Sequence, residues 1–185
     1  MNEHHYVPAE ILEAGSEAIK QSPKTAGVLD LIVRRPGVDL RETAREARLD
    51  EVAGLVGDTW QQRGNSRTAD GSAHPDMQLT LMNSRAIALI AGSPDRWELA
   101  GDQLFADLDI SITNLPAGSR LQVGEAVIEI TTEPHTGCAK FEARFGAAAR
   151  AMVNSPSGRE QRLRGANARI VTGGVIRVGD PIVKL

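Results

Sequence analysis

The sequence predicts a mainly β domain with peripheral helices, an α+β fold built around a barrel-like β core. Two observations predict it: several short strand-like segments follow one another at close spacing, and helix-like segments stand between them. A chain of 185 residues, 41% of them hydrophobic, is close to the usual size of one domain with one sizeable core. Aromatic residues make up only 3%, so we expect that core to be aliphatic.

The N-terminal part of the chain is expected to form a helix, a strand and a second helix. Residues 8–21 predict a helix, because a proline suits its first turn and apolar residues then share one stripe. Residues 26–33 are a short apolar run typical of a strand, and residues 41–49 indicate a charged helix. We expect residues 1–25 to be an N-terminal helical extension and residues 26–185 to be the barrel domain.

The next segment is expected to be a long loop that leads into a strand and a helix. Residues 54–75 are rich in Gly, Asn, Ser, Arg and Asp, and a loop of that length is usually functional or poorly ordered. Residues 77–82 alternate as a strand does, and Asn83 is expected to cap a helix that runs to Ala91. A short helical turn is predicted at residues 93–97.

The last part of the chain gives mostly β signals with two helices inserted. Turn residues at close intervals separate the short apolar runs. The predicted elements are strands at 107–112, 121–123 and 126–131, helices at 139–153 and 157–163, a hairpin of 168–172 with 175–178, and a last strand at 182–185.

Composition argues against several classes of partner and place. The formal net charge is −3, the isoelectric point is near 5.8 and few rings are present to stack on bases, so we expect no nucleic-acid partner. No apolar run approaches the roughly 20 residues that span a bilayer, so no membrane is expected as a partner. Cys138 is the one cysteine, which rules out an intramolecular disulfide, and a cytoplasmic location is predicted.

Positive charge is concentrated at the C-terminal end. Residues 138–185 hold nine Lys and Arg against three acidic residues, whereas residues 1–137 carry a net charge of −9. Such asymmetry indicates a local site for an anion, with the alternative that the basic residues simply coat solvated helix faces.

The segment around Cys138 is the one place where reactive chemistry is concentrated. Cys138 is expected at the N-terminus of a helix, where unpaired N–H groups stabilise an anion, and His135 and Lys140 are close in sequence. These conditions lower the pKa of a thiol, and the thiolate is the form that attacks, carries a persulfide or binds a soft metal. The alternatives remain that Cys138 is a small buried hydrophobe and His135 a hydrogen-bonded loop residue.

Other candidate residues give weaker signals. His74 has no second ligand at a metal-binding spacing, and a single cysteine excludes a Cys-rich zinc site. Asp102, Asp107 and Asp109 are close in sequence, but paired catalytic carboxylates are not distinguishable there from a solvated strand face.

Residues 134–141, Pro-His-Thr-Gly-Cys-Ala-Lys-Phe, resemble the signature segment of the MOSC family, whose domains are similar to the C-terminal domain of molybdenum cofactor sulfurase. The resemblance extends over roughly residues 27–185. The other segments that support it are the early Gly-x-x-Gly-Asp loop at 54–58, the segments 101–108 and 114–118 before the cysteine, and the segments 153–155, 162–169 and 175–180 after it.

The resemblance implies a barrel similar to the pyruvate kinase β-barrel domain, and an association with molybdenum cofactor (molybdopterin) and with sulfur carriage. Some members of the family reduce N-hydroxylated compounds and use the signature cysteine as a ligand of molybdenum. By this resemblance Cys138 is the metal ligand or the persulfide carrier, and it forms with His135 the expected catalytic pair. The cofactor-binding residues expected on the same basis are Thr136, Gly137, Lys140, Arg164, Asn167 and Arg169.

The resemblance also leaves open what the protein does. The position after Gly57-Asp58 is often basic in the family, but here it is Thr59, which weakens the expectation of an anion anchor there. No flavin or iron–sulfur motif is visible, so a reductase acting on a small-molecule substrate would take electrons from a separate protein. The alternatives are a non-catalytic sulfur carrier or cofactor-binding module, and a barrel that serves only as an interaction protein.

Overall fold

Residues 6–185 are described by the computed structural model, and they form strands and helices in alternation along the chain. The strands are β1 (Ala26–Arg34), β2 (Glu42–Ala44), β3 (Glu46–Asp50), β4 (Gly54–Leu55), β5 (Leu79–Asn83), β6 (Leu104–Asp107), β7 (Arg120–Val123), β8 (Ala126–Ile130), β9 (Ala166–Thr172), β10 (Gly174–Arg177) and β11 (Pro181–Lys184). The helices are α1 (Ala9–Ile19), α2 (Trp60–Arg63), α3 (Ser84–Ala91), α4 (Ala139–Phe145), α5 (Ala147–Asn154) and α6 (Pro156–Glu160). Two 3₁₀ segments occupy Pro75–Met77 and Pro94–Ala100.

Seven strands close into a barrel in the order β1-β6-β5-β9-β8-β7-β11, and β11 returns to β1 through the pairing of Ala26 with Val183. All neighbours are antiparallel except β5 and β6, which run parallel. The barrel interior is filled by aliphatic side chains, among them Leu29, Leu81 and Ile128, which are fully buried. The predicted fold class and the aliphatic core of the barrel are confirmed.

A second sheet of three short strands, ordered β10-β3-β4, packs on the barrel. Its inward residues Ala47, Leu49, Leu55 and Ile176 join the same buried cluster as the barrel interior. The small sheet therefore extends the core that the barrel strands enclose.

Helices cover part of the outside of the barrel and form a second buried cluster. Leu12 of α1, Ile87 of α3 and Phe145 of α4 are buried there against outward-facing strand residues such as Phe105. The helix predicted near the N-terminus is thus present as α1, with residues 1–5 outside the described part. Whether residues 1–25 form an extension separate from the barrel domain stays a prediction.

Most predicted elements are confirmed. The strand expected at residues 26–33 is β1, the last predicted strand is β11, and the strands predicted around Gly124 are β7 and β8. Asn83 caps α3 as predicted, because its Oδ1 accepts a hydrogen bond from the N–H of Ala86 at 3.0 Å.

The charged helix predicted at residues 41–49 is wrong, because this segment forms β2 and β3. Ala47 and Leu49 are two residues apart and both buried, which is the period of a strand and not of a helix. Besides the short β4, β3 pairs with β10, which lies more than a hundred residues further along the chain. Pairing with this distant strand overrides the local helical pattern.

The predicted hairpin of residues 168–178 is also wrong. Strand β9 pairs with β5 and β8 in the barrel, whereas β10 pairs with β3 in the small sheet. Gly173, the one residue between them, therefore carries the chain from one sheet to the other.

Three further boundaries differ from the prediction. The strand predicted at 107–112 is wrong apart from Asp107, because β6 runs over Leu104–Asp107 and then gives way to a turn in which Asp109 accepts a hydrogen bond from the N–H of Ser111. The helix expected at 139–153 is two helices, α4 and α5, because Gly146 adopts a φ of 90° between them. The last helix is capped by Ser155 and is shorter than predicted.

The loop predicted at residues 54–75 contains β4 and α2. Asp58 anchors it, because its carboxylate accepts hydrogen bonds from the Arg35 guanidinium at 2.7 and 2.9 Å.

Among residues 6–185, no helix has both the length and the apolar character required to cross a bilayer.

Candidate functional site

Cys138 occupies the N-cap position of α4 and is exposed to solvent. Burial raises the pKa of its thiol, but the N–H groups of Phe141 and Lys140 and the charge of Arg164 outweigh this and hold the pKa below its ordinary value. The side chain forms no capping hydrogen bond, so we attribute the effect of the helix N-terminus to the partial charges of these N–H groups. The direction of this pKa shift is the one expected from the sequence.

The loop that carries Cys138 is fixed to α5. Asn154 accepts a hydrogen bond from the N–H of Gly137 at 2.9 Å and donates one to the carbonyl oxygen of Gly137, also at 2.9 Å. A Cβ at Gly137 would lie 2.8 Å from Val153 Cγ2, so the close approach depends on glycine. The residue before the cysteine thus sets the position of α4 relative to α5.

A buried ionic cluster lies beside this loop. Asp102 has no exposed surface, and its carboxylate contacts Arg164 Nη1 at 2.5 Å and His135 Nε2 at 3.0 Å. Burial raises the pKa of Asp102, but Arg164 and His135 lower it by more, so the net pKa is below its ordinary value. Burial and then the charge of Arg164 lower the pKa of His135, which is consequently neutral at neutral pH.

Three arginines converge on the carbonyl groups at the end of the 3₁₀ segment that precedes β6. Arg144 donates to Leu99 O at 2.8 Å, Arg164 to Ala100 O at 3.0 Å, and Arg35 to Gly101 O at 3.1 Å. The Arg164 guanidinium also lies 4.9 Å from the centroid of the Phe141 ring of α4. These contacts tie α4 to the strand that begins after Asp102, and each of the three guanidinium groups is also paired with a carboxylate.

A cavity of about 410 Å³ opens beside the cluster, a size within the range of small-molecule sites. Its polar wall includes His135, Thr136, Arg164 and Asn167, and its apolar wall includes Ile112, Pro116, Val153 and Ala166. Two buried polar atoms of its lining residues, Asn167 Oδ1 and Arg164 Nε, have no hydrogen-bond partner among the described residues. A buried polar group without a partner is costly, and a ligand is one way to satisfy it.

The predicted site residues are only partly brought together. His135, Thr136, Arg164 and Asn167 line the cavity, whereas Gly137 and Cys138, which follow directly in the chain, are not among its lining residues. Lys140 is exposed and lies 3.6 Å from Asp39, and Arg169 contacts Glu129 and Asp76 at a separate depression. Neither Lys140 nor Arg169 lines the cavity.

The positive C-terminal segment does not form one anion site. Several of its basic residues pair with carboxylates elsewhere: Arg150 with Glu142, Arg169 with Glu129 and Arg177 with Glu46. The members that line the cavity are Arg159, Arg162 and Arg164. Arg162 donates to the carbonyl groups of Ile110 and Leu115, so it holds the cavity wall in place.

Sequence reasoning considered Asp102 only as a weak candidate, and it missed Arg35 and Asn154 as parts of this site. The pair Asp102-Gln103 stands directly before the apolar strand β6, and both side chains are fully buried. The position of Asp102 directly before a buried strand was the signal in the sequence, because a buried carboxylate requires a cationic or hydrogen-bonding partner. Nothing in the spacing along the chain indicated that Arg164, far downstream, would be that partner.

The fold and the site together define a closed β-barrel protein with a solvent-exposed cysteine at a helix N-terminus, close in sequence to a cavity. The family model of the MOSC domain matches residues 70–183, and the chain belongs to this family. The search of curated proteins finds no significant match.

Solved structures share the fold at low sequence identity. YuaD from Bacillus subtilis has a TM-score of 0.59 at 15% identity, over 85% of this chain and 94% of that chain. YiiM from Escherichia coli has a TM-score of 0.53 at 20% identity, over 85% of this chain and 69% of that chain. A further crystal structure, of a hypothetical protein, has a TM-score of 0.58 at 20% identity, over 90% of this chain and 70% of that chain. At these identities the likeness concerns the fold alone.

Proposed function

We propose that this MOSC protein binds molybdenum cofactor, with Cys138 as a ligand of the metal, and reduces small N-hydroxylated or N-oxide compounds. The observation that carries the proposal is the exposed Cys138 thiol at the N-terminus of α4, whose pKa lies below its ordinary value. A thiolate is the form of cysteine that binds a soft metal. The family to which the chain belongs is associated with this cofactor in general.

The residues around Cys138 fit a pterin cofactor with a phosphate. Thr136, two residues before Cys138 in the chain, lines the cavity of about 410 Å³. Arg164 Nε–H is a donor without a partner for an anionic oxygen, and Asn167 Oδ1 is an acceptor without a partner for a pterin N–H. Lys140 and Arg169 are left out of this assignment, because their side chains face carboxylates away from the cavity.

The cofactor, when bound, would supply a redox-active metal that exchanges oxygen with the substrate. The chain itself would contribute the Cys138 thiolate as one ligand and Arg164 and Asn167 as groups that orient the pterin. The apolar wall of the cavity would hold the body of the substrate and exclude water. We place the source of electrons in a separate donor protein.

A second candidate function is sulfur transfer, with Cys138 as a persulfide carrier. The exposure of the thiol favours it, because a sulfur donor protein must reach the sulfur atom directly. Arg164 lowers the pKa of the same group, which increases the fraction of the nucleophilic thiolate. Under this alternative the cavity holds the acceptor of the sulfur atom.

The first experiment is to measure molybdenum per chain by elemental mass spectrometry after expression in a host shown to produce abundant cofactor. The proposal expects near-stoichiometric metal in the wild type and its loss in Cys138→Ser. Arg169→Gln serves as the control, because this arginine is exposed and outside the cavity, and it is expected to retain the metal. Absence of metal from the wild type would overturn the proposal. An added sulfur atom on Cys138, seen by intact mass and removed by a reducing agent, would then favour the sulfur carrier.

A further inference from the structure

Asp102 is enclosed by His135, Arg164 and Gly165. Its Oδ1 lies 3.0 Å from His135 Nε2, and its Oδ2 lies 2.5 Å from Arg164 Nη1. Gly165 has a φ of 110°, and a Cβ there would stand 3.0 Å from Asp102 Oδ1 and 3.1 Å from His135 Cδ2. A side chain larger than that of glycine at position 165 would therefore collide with both the carboxylate and the imidazole.

This contact selects one tautomer of His135. The ion pair with Arg164 keeps Asp102 ionised, and an ionised carboxylate only accepts hydrogen bonds. His135 Nε2 must then carry the hydrogen, which leaves the lone pair of the neutral ring on Nδ1. No described residue makes a hydrogen bond with Nδ1, although the ring lines the cavity and its side chain is 18% exposed.

We propose that Asp102 is a positioning residue that fixes His135 as the neutral Nε2–H tautomer, so that Nδ1 accepts a hydrogen bond from an N–H or O–H group of the ligand in the cavity. The ligand class that this arrangement recognises is a small protic compound whose donor group reaches Nδ1 while its body contacts the apolar wall. The identity of that ligand as a substrate rests on the proposed function, but the tautomer does not.

The surroundings of His135 are consistent with a neutral ring that accepts a hydrogen bond, and not with a protonated ring. Asp102, the one carboxylate in contact with the ring among the described residues, favours a positive imidazole, but burial and the charges of Arg164 and Arg35 disfavour it by more and lower the pKa of His135. Thr136 and Asn167 on the same cavity wall carry no charge. The neutral ring is thus the form that the surroundings stabilise, and its role is to orient a donor group of the ligand.

The test is the tautomer of His135 in the cofactor-free protein, read from long-range ¹H–¹⁵N correlations of the imidazole ring near neutral pH. The chain has four histidines, and the signals that vanish in His135→Gln identify those of His135. We expect a dominant Nε2–H tautomer in the wild type. In Asp102→Asn the carboxamide can also donate, so the dominant tautomer should give way to a mixture or to the Nδ1–H form.

The matched control is Asp58→Asn, which removes another fully buried carboxylate paired with an arginine but leaves Asp102 intact. It should keep the wild-type tautomer. An Nδ1–H tautomer in the wild type would overturn the proposal without any variant, as would an unchanged tautomer in a folded Asp102→Asn protein. The measurement needs no metal. A failure of the molybdenum proposal would therefore not affect the tautomer result, and a wrong tautomer would not contradict molybdenum binding.

Discussion

Asp102 Oδ2 and Arg164 Nη1 lie 2.5 Å apart in the interior of the protein, where the aspartate side chain has no exposed surface and the arginine side chain only 8%. The pair joins the strand that begins after Asp102 to the segment that leads into β9. Because the same carboxylate holds His135 and the same guanidinium lowers the pKa of Cys138, one ion pair connects the stability of the barrel with the chemistry of the site.

Removing the carboxylate is expected to be costly. Asp102→Ala leaves Arg164 buried without its counter-ion, and breaking a buried pair in this way costs about 3–5 kcal/mol of the free energy of unfolding. Urea unfolding measures the loss. The matched control is Glu17→Gln, which breaks an exposed ion pair with Lys20 and should cost less than about 1 kcal/mol. Equal losses in the two variants would contradict the role assigned to the buried pair.

The free energy of unfolding should decrease in acid in two stages. The folded-state pKa of His135 is lowered, so the unfolded chain binds a proton more readily, and stability falls once the pH drops below about 6.5. The pKa of Asp102 is also lowered, so its contribution is present above the pKa of the unfolded carboxyl and is lost as the pH falls through the folded value. Urea midpoints measured from pH 7.5 downwards would reveal both.

In His135→Gln the first of these stages should be reduced, since the imidazole no longer titrates. The second stage should remain, because Asp102 still pairs with Arg164 in that variant. A slope near pH 6 that is as steep as in the wild type would mean that another group causes it.

The thiol of Cys138 should react with iodoacetamide at a lower pH than a free cysteine, whose pKa is about 8.5. Since the chain has a single cysteine, the rate reports on this group alone. Arg164→Gln should move the midpoint of the pH–rate profile upwards, because a positive charge near the sulfur is lost. Arg169→Gln, outside the site, should leave the midpoint in place. A wild-type midpoint at or above that of free cysteine would contradict the lowered pKa of the Cys138 thiol.

A methyl group at position 165 should disturb the buried cluster. Gly165→Ala combines the strain of a φ of 110° with a Cβ only 2.8 Å from Leu81 O, so the loss of stability should exceed the roughly 1–3 kcal/mol of backbone strain alone. Gly179→Ala is the control, since its φ is 95° but no atom lies within 4 Å of the added Cβ. Equal unfolding midpoints for the two variants would show that the close packing at residue 165 is unimportant.

The fold class and most strands could be predicted from the sequence because their signals are local. The alternation in β8 and the cap at Asn83 depend only on residues within a few positions of each other. The β3 segment could not be predicted in this way, because its partner β10 comes from the far end of the chain. A short charged segment with apolar residues on one side fits a helix or a strand equally well until that partner is known.

The candidate site follows the same division. The placement of Cys138 before α4 was predictable, because a glycine before it and a helix after it are adjacent in sequence. The grouping of Asp102 with His135 and Arg164 was not, because it requires three segments to meet in the folded barrel. Arg169 was predicted from the family resemblance to bind the cofactor, but alternation along β9 directs its side chain to Glu129.

The pairing of β1 with β11 determines when the molecule can finish folding. Ala26 and Val183 are neighbours in the closed barrel, so nearly the whole chain separates two residues that must meet. Contacts of such high sequence separation slow folding, because the entropy of closing the loop is lost before the contact forms. During synthesis β1 and β7 therefore present unpaired edges until Pro181–Lys184 leaves the ribosome. The interval before closure is the stage at which the chain is most exposed to edge-to-edge aggregation and to chaperones.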